Sequence, residues 1–142
     1  MKKWSLVPLL FILFILPTTA EKASGSRVLA NGGQNSIDQL MALKAPFQLS
    51  YSIKVKSSNE KIDVYLVDDY NYQMITKQQF EQAQYVVGGS AINTAIAEIS
   101  KFDVMGTKTF HLVVANRSLK NPVMIEYLID AEARKKQEMT KN

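Results

Sequence analysis

Oxygen-bearing side chains cluster where one apolar stretch of the sequence ends. Asp68, Asp69 and Asn71 follow the run at 62–67, within the motif DDYNY. Carboxylate and amide oxygens are the hard ligands that Ca²⁺ takes in proteins, but the spacing and the terminal glutamate of an EF-hand loop are missing. Calcium binding is therefore one hypothesis, and a solvated turn in which an aspartate caps a helix is the alternative.

Tyrosines accompany these oxygens. Tyr70 and Tyr72 flank Asn71, and Tyr85 comes shortly before a glycine pair. Exposed tyrosine rings stack on sugars or peptides, whereas half-buried rings close the edge of a core. The absence of tryptophan after residue 20 argues against a sugar as the ligand. We predict a binding surface on the loops at 68–72 and 85–89, formed by Asp68, Asp69, Tyr70, Asn71, Tyr72 and Tyr85.

His111 is the only histidine and therefore the only imidazole available to a hydrolase. It lies between Phe110 and Leu112, with no acidic residue beside it in the sequence. The chain contains no cysteine, no GxSxG elbow, no phosphate-binding or dinucleotide-binding glycine motif and no HExxH motif. We expect a structural role for His111, and the sequence predicts no enzymatic activity and no cofactor and assigns no metal ligand.

Charge and one short motif bear on possible partners and modifications. Lys2 and Lys3 account for two of the 17 basic residues, so residues 21–142 carry 15 basic and 13 acidic side chains, a net charge of +2. Such a balance leaves no basic stripe, and nucleic acid is not expected as a partner. The triplet NRS makes Asn116 a possible glycosylation site, and its place directly after a predicted strand favours an exposed position.

The first twenty residues have the pattern of a secretory signal. A charged start, MKK, is followed by the apolar stretch LVPLLFILFIL and the small-residue segment PTTA. We predict a signal peptide over 1–20, cleaved after Ala20, and a secreted or cell-envelope location. The apolar stretch is short for a membrane-spanning helix, although an uncleaved signal anchor stays an alternative. An exported domain without cysteine favours a bacterial envelope.

Four segments alternate between apolar and polar residues, as half-buried strands do. They span 46–57, 62–67, 109–116 and 123–130. The polar turn at 57–61 favours an antiparallel pair of the first two segments. Tyr65 and Val67 give the second segment a partly apolar outer face, so it should be a central strand. Short strands joined by polar turns predict an all-β, antiparallel β-sandwich over residues 45–130.

The two ends of the chain look less regular. Residues 21–44 are rich in glycine, serine and asparagine and predict a linker or an N-terminal arm, with a short strand at 27–30. Within this segment, 36–44 fits either a short helix or an extended arm. Residues 131–142 form a polar basic tail.

Two segments carry helical signals. Thr76 and Gln79 form a capping box, which predicts one short helix near 77–84. The spacing of Ile92, Ile96 and Ile99 fits one face of a helix better than it fits alternation, so periodicity favours a helix over 91–105.

Two motifs resemble those of GOLD-like β-sandwich modules from secretory and envelope proteins. The first motif has the form VDVYLLD, and its matching residues are Val64, Tyr65, Leu66 and Asp68. The second has the form G-x-Y-x-L-V-x-x-N, and its matching residues are Gly106, Phe110, Leu112, Val113 and Asn116. Phe110 stands in place of the usual tyrosine, and Gly106 comes four residues before it instead of two. The resemblance covers about residues 45–130. It implies a jelly-roll or GOLD-like sandwich and extended structure over 94–104 in place of a helix.

Together these features predict an exported, non-enzymatic accessory module that binds another envelope or extracellular protein through a sheet edge or the two loops. Two alternatives stay open: a glycan- or calcium-assisted surface-binding module, and a luminal cargo-binding protein of the secretory pathway. GOLD cargo receptors usually add a coiled coil, a transmembrane helix and a cytoplasmic tail, which argues against the latter. No stable membrane insertion is expected after cleavage, and the oligomeric state is left open.

Overall fold

A computed structural model of the protein describes residues 20–56 and 59–134, which form eight β-strands, one α-helix and three 3₁₀ turns. The strands are β1 (Ala20–Leu29), β2 (Ile37–Lys44), β3 (Phe47–Val55), β4 (Ile62–Asp68), β5 (Ala91–Thr94), β6 (Ile96–Val104), β7 (Thr109–Ala115) and β8 (Val123–Ala133). The helix is α1 (Asp69–Thr76), and the 3₁₀ turns span Gln34–Ser36, Phe80–Gln82 and Val87–Gly89.

The strands form two four-stranded antiparallel sheets. Sheet A has the order β1-β8-β3-β6, and sheet B has the order β2-β7-β4-β5. The pairing is nested, because β1 pairs with β8, β2 with β7, β3 with β6 and β4 with β5. Two packed sheets with this strand order form a jelly roll. The predicted all-β antiparallel sandwich is confirmed.

The main core lies between the two sheets. In β3, the alternating side chains of Phe47, Leu49 and Ile53 are fully buried, and they meet buried residues of sheet B such as Leu66 and Leu112. Each large apolar side chain that is fully buried contributes roughly 1.5–3 kcal/mol to folding. This layer fixes the strands from which the candidate site projects.

The outer face of sheet B is buried as well. α1 and the 3₁₀ turn that follows it lie over this face and enclose Tyr65, Val67 and Val113 together with Ile75. β4 lies between β5 and β7, so the prediction of a central strand with two apolar faces is confirmed. On sheet A, by contrast, the outward side chains of β8 are exposed, among them Leu128.

The predicted hairpin of the first two regular strands is wrong. β3 belongs to sheet A and β4 to sheet B, and each pairs with strands distant in sequence. Val55 ends β3 in sheet A and Ile62 begins β4 in sheet B, and packed sheets lie about 10 Å apart. Alternation of apolar and polar residues predicts which side of a strand is buried. It does not predict whether two consecutive strands lie in the same sheet or in facing sheets.

The predicted linker or arm over 21–44 is also wrong, because this segment supplies β1 and β2. β1 pairs with β8 along its whole length. Its outward residues include the small, polar and exposed Ser24 and Ser26, so the segment has the composition of a linker although its backbone is bonded into the sheet. Within it, the helical interpretation of 36–44 is wrong and the extended one is confirmed.

The short helix exists but not at 77–84. α1 ends at Thr76, which was expected to begin the helix, and Asp68 is the residue that caps it. The helix predicted from periodicity over 91–105 is wrong, and the extended structure implied by the resemblance is confirmed as β5 and β6. The helical spacing is misleading because Ile92 and Ile96 are exposed, whereas Ile99 packs against the core. Beyond them, a bulge near Lys101, which has a positive φ of 52°, shifts the alternation in β6.

The ends of the predicted domain need revision. β8 continues to Ala133, so the polar tail begins later than residue 131, and residues 135–142 lie outside the described part. The predicted signal peptide also lies outside it, except for Ala20, which pairs with Glu132. Among the residues that the structure describes, no helix is long and apolar enough to cross a membrane.

Candidate functional site

The segment DDYNY forms the junction of β4 and α1, and Asp68 caps the helix. The Asp68 carboxylate accepts hydrogen bonds from the backbone N–H of Asn71 at 3.0 Å and from its side-chain amide at 2.9 Å. Lys108 Nζ lies 3.3 Å from the second carboxylate oxygen. Burial disfavours the charged form, but the hydrogen bonds from Asn71 and the Lys108 ammonium outweigh burial and hold the Asp68 pKa below its ordinary value.

The cap should make stability depend on pH. Asp68→Ala is expected to lower the free energy of unfolding by about 1 kcal/mol at neutral pH, because an N-cap is lost. The folded pKa lies below the unfolded one, so the stabilisation is complete above an unfolded pKa of about 4 and is lost as the pH falls through the folded pKa. Urea unfolding from pH 7 to pH 3 should therefore show the difference between wild type and variant shrinking with acid. The exposed Glu98→Ala is the control, and a pH-independent difference for Asp68→Ala would contradict the assignment.

His111 is enclosed by polar partners from two other elements. Its Nε2 lies 2.5 Å from Asp69 Oδ1 on α1, and its Nδ1 lies 2.6 Å from Gln39 Oε1 on β2. The Tyr72 ring stacks on the imidazole, with centroids 4.2 Å apart and planes 7° from parallel. The histidine side chain is only 12% exposed. Each ring nitrogen has a partner, so neither is directed at an incoming substrate as a general base would be.

The two predicted binding loops come together in the fold. Asn71 Oδ1 accepts a hydrogen bond of 2.8 Å from the backbone N–H of Gln84, which joins the first turn of α1 to the residue before Tyr85. Around this bond Tyr70 is 68% exposed, Val87 is 78% exposed and Tyr85 is exposed to a lesser degree. We call Tyr70, Tyr85 and Val87 the tyrosine patch.

The second loop is held firmly from beneath. Val86 N–H donates to Leu66 O at 2.9 Å, and Leu66 N–H donates to Ser90 Oγ at the same distance. The buried hydroxyl of Tyr51 donates to Gly89 O at 2.9 Å. These bonds tie the loop to β4 and to the core, so the tyrosine patch stands on a fixed support.

Aromatic rings support the patch from the side of sheet B. The Tyr85 ring meets Tyr65 edge-on at 5.5 Å, and Phe80 stacks on Tyr65 at 6.0 Å between centroids. The Arg117 guanidinium lies over Phe80, 4.7 Å from the ring centroid. Cation–π and edge-to-face contacts of this kind fix ring orientation. Tyr85 is therefore held by the protein on one side and open to solvent on the other.

Asp63 anchors this aromatic cluster although it is only 5% exposed. Its Oδ2 accepts a 2.7 Å hydrogen bond from the Tyr65 hydroxyl and lies 3.4 Å from Arg117 Nη1, and its Oδ1 accepts a 2.7 Å bond from Asn93 N–H. Burial raises the pKa of the Tyr65 phenol, and the Asp63 carboxylate raises it further. The carboxylate is thus fully partnered within the protein.

The calcium hypothesis lacks a ligand set. Asp68 is occupied as a helix cap and Asp69 faces His111, so the adjacent carboxylates serve different partners. Within residues 20–56 and 59–134, no three histidine or acidic side chains converge as a metal cluster. Four of the six predicted binding residues have side chains that contact other residues of the protein, namely Asp68, Asp69, Asn71 and Tyr72. The other two, Tyr70 and Tyr85, are exposed to solvent.

The prediction that Asn116 is exposed is wrong, because this side chain is only 2% exposed. Its Nδ2 donates to the carbonyl oxygens of Leu29, Ala30 and Asn121, at 3.3, 3.1 and 2.9 Å. Its Oδ1 accepts from Ser118 N–H at 3.0 Å. A glycan on Nδ2 would displace these bonds, so the amide joins the end of β1 to the β7–β8 turn and is not a fitting attachment site.

Several residues of the site gave no sequence signal. Gln39, Gln84 and Lys108 come from three separate segments, and each contacts a predicted residue only because of the strand order. Arg117 was noted only as the middle of a sequon. An acidic residue at a strand position with a buried neighbour, as at Asp63, is the one signal that would have indicated the cluster beneath the patch.

No family model matches the chain, and no curated protein sequence matches it. Among solved structures, a match is a chain of the acidic stable capsid structure of Helicobacter pylori bacteriophage KHP30. It aligns with a TM-score of 0.42 and 11% sequence identity, over 81% of this chain and 94% of that chain. At this level of similarity the match carries no argument about function.

Proposed function

We propose that the chain is an exported, non-enzymatic module that binds another protein of the cell envelope or extracellular space. The observation that supports this is the tyrosine patch. Two of its three side chains are more than two-thirds exposed. Tyr70 stands on the first turn of α1, and Tyr85 and Val87 stand on a segment that hydrogen bonds tie to α1 and β4. Tyrosine-rich exposed patches on rigid supports are typical of protein interfaces, where aromatic anchors contribute most of the affinity.

The surroundings of His111 support the non-enzymatic part of the proposal. Asp69 and Gln39 occupy both ring nitrogens, and Tyr72 covers one face of the ring. A hydrolase of this chain would need a nucleophile beside a free imidazole nitrogen.

The GOLD-like family assignment is likewise a proposal. Its two motifs lie on β4 and β7, which are neighbours in sheet B, and the register sets Val64 opposite Val114 and Leu66 opposite Leu112. These side chains are fully buried. Most of the motif residues therefore build the core, which agrees with a family whose shared motifs are structural.

Export is tested by the intact mass of the native protein from separated soluble and membrane fractions. We expect a soluble species that begins at Glu21, which leaves β1 intact from its second residue onward. A full-length mass confined to the membrane fraction would overturn cleavage and indicate a signal anchor.

Binding is tested by a photo-crosslinking amino acid placed at Tyr70 in cells that make the protein. A discrete protein adduct is expected at this position. The same group at Leu119, which is 84% exposed and lies outside the patch, is the matched control and should give none. Val87→Asp should reduce the adduct about tenfold with no change in melting temperature, because a charge is desolvated at the interface. Equal labelling at both positions, or none at either, would overturn the proposal.

A further inference from the structure

Among the strands of residues 20–56 and 59–134, four lie at sheet edges, and three of these have features that hinder the addition of another strand. β2 carries a register shift between Gln39 and Met41, and β6 carries the bulge at Lys101. β5 has only four residues, a register shift and a positive φ at Asn93. Bulges, kinks and short length are the devices by which proteins prevent strand addition. β1 differs, because all ten of its residues pair with β8 without a shift.

The hydrogen-bond pattern of β8 with its two neighbours determines which backbone groups of β1 point away from sheet A. Lys56 N–H donates to Met124 O, so the even-numbered residues of β8 bond to β3. In an antiparallel strand, alternate residues direct both backbone groups to opposite sides. The odd-numbered residues of β8 therefore bond to the odd-numbered residues of β1, and the N–H and C=O groups of Lys22, Ser24, Ser26 and Val28 point away from the sheet.

The strand that carries these groups is held in place. Arg27 bridges to Asp38 on β2, and its guanidinium lies 5.6 Å from the centroid of the Tyr127 ring. Gly25 is opposite Tyr127, and a Cβ at Gly25 would lie 3.2 Å from the tyrosine oxygen. The edge is thus ordered before any partner arrives, which lowers the entropic cost of strand addition.

We infer that β1 is a self-association edge, at which β1 of a second copy adds in antiparallel orientation to form one continuous eight-stranded sheet. Because the outward groups belong to even-numbered residues, only registers that oppose even with even satisfy them. In one such register Ser24 lies opposite Ser24 of the second copy. Glu21 of each copy then lies opposite Arg27 of the other, and this charge complementarity favours a second copy as the partner. If the register shifts by one residue pair toward the C-terminus, Lys22 lies opposite Val28, and Glu21 no longer lies opposite Arg27. This edge is separate from the tyrosine patch, and the inference stands without it.

The first test is sedimentation of the native processed protein over a range of concentrations, with a reversible monomer–dimer equilibrium as the expected result. Ser24→Pro removes an outward N–H from both copies at an edge position that tolerates proline. It should raise the dimer dissociation constant about thirtyfold at unchanged melting temperature. Ser24→Ala should leave the dimer intact. Ala23→Pro, whose N–H bonds to β8, should lower the melting temperature instead.

The register is tested by a disulfide, since the chain has no cysteine of its own. In the proposed register the two Ser24 Cα atoms lie about 5.5 Å apart, within the range that a disulfide spans. Ser24→Cys should give a covalent dimer on mild oxidation, whereas Ser26→Cys and the exposed Leu119→Cys should give no covalent dimer. A monomer at all concentrations, a dimer insensitive to Ser24→Pro, or preferential crosslinking through Ser26→Cys would overturn the inference.

Discussion

Asn116→Ala is expected to lower the free energy of unfolding by about 3 kcal/mol. The amide donates to three main-chain carbonyls and accepts from one N–H in a buried site. Each such bond contributes roughly 1 kcal/mol, and carbonyl groups left buried without a partner add to the loss. Asn116→Asp should cost more, because a carboxylate cannot donate and its charge faces carbonyl oxygens.

The matched control is Asn31→Ala in the same region. Asn31 also donates to two carbonyl oxygens, those of Leu119 and Lys120, but at 3.4 Å and in an exposed setting. Its loss should change stability by less than about 0.5 kcal/mol. Urea unfolding of the two variants decides the matter, and equal destabilisation would show that burial of the Asn116 amide is not the cause.

Asp63→Ala is expected to destabilise the protein by about 2–3 kcal/mol, because the Tyr65 hydroxyl and the Asn93 N–H lose their acceptor. Asp63→Asn keeps one oxygen and should cost less. The sharper test is a double-mutant cycle with Tyr65→Phe. If the stranded hydroxyl causes part of the loss, Tyr65→Phe should cost less in the Asp63→Ala background than in the wild type.

Additive costs in this cycle would contradict the hydroxyl's part in the loss. The melting temperature of Arg117→Ala measures the contribution of Arg117, the other partner of Asp63. This half-exposed arginine should contribute less than about 1 kcal/mol through its ion pair. Fluorescence of the tyrosines reports whether the rings around Tyr65 keep their arrangement in each variant.

Sequence reasoning predicted four strands, β3, β4, β7 and β8, to within a few residues. In β3 and β8 the more buried and less buried side chains alternate, whereas β4 and β7 are apolar runs that are largely buried on both faces. The prediction of a short strand at 27–30 is confirmed by the end of β1. The first part of β1 was missed because backbone bonds to β8, rather than buried side chains, define it. The strand pairing was predicted wrongly for a different reason. β3 and β4 are adjacent in the chain, but the jelly roll places them in facing sheets.

The candidate site was predicted in composition but not in role. The alternative in which an aspartate of DDYNY caps a helix is confirmed by Asp68. The expected solvated turn is wrong, because residues 69–72 form the first turn of α1. The contacts of Asp69 and Tyr72 with His111 depend on a register that no local pattern encodes. Tyr70 and Tyr85 differ from these residues only in exposure, which tertiary packing decides.

The nested strand order has a consequence for when the protein can fold. β8 is the last strand of the jelly roll, yet it lies between β1 and β3 in the middle of sheet A. Pairs such as Leu29 with Val123 join distant parts of the chain, so loop-closure entropy must be overcome before they form. A chain released from its N-terminus onward, as in synthesis or in the proposed export, holds β1 without its partner until the final residues arrive. Sheet A can therefore be completed only after β8 has been synthesised or exported.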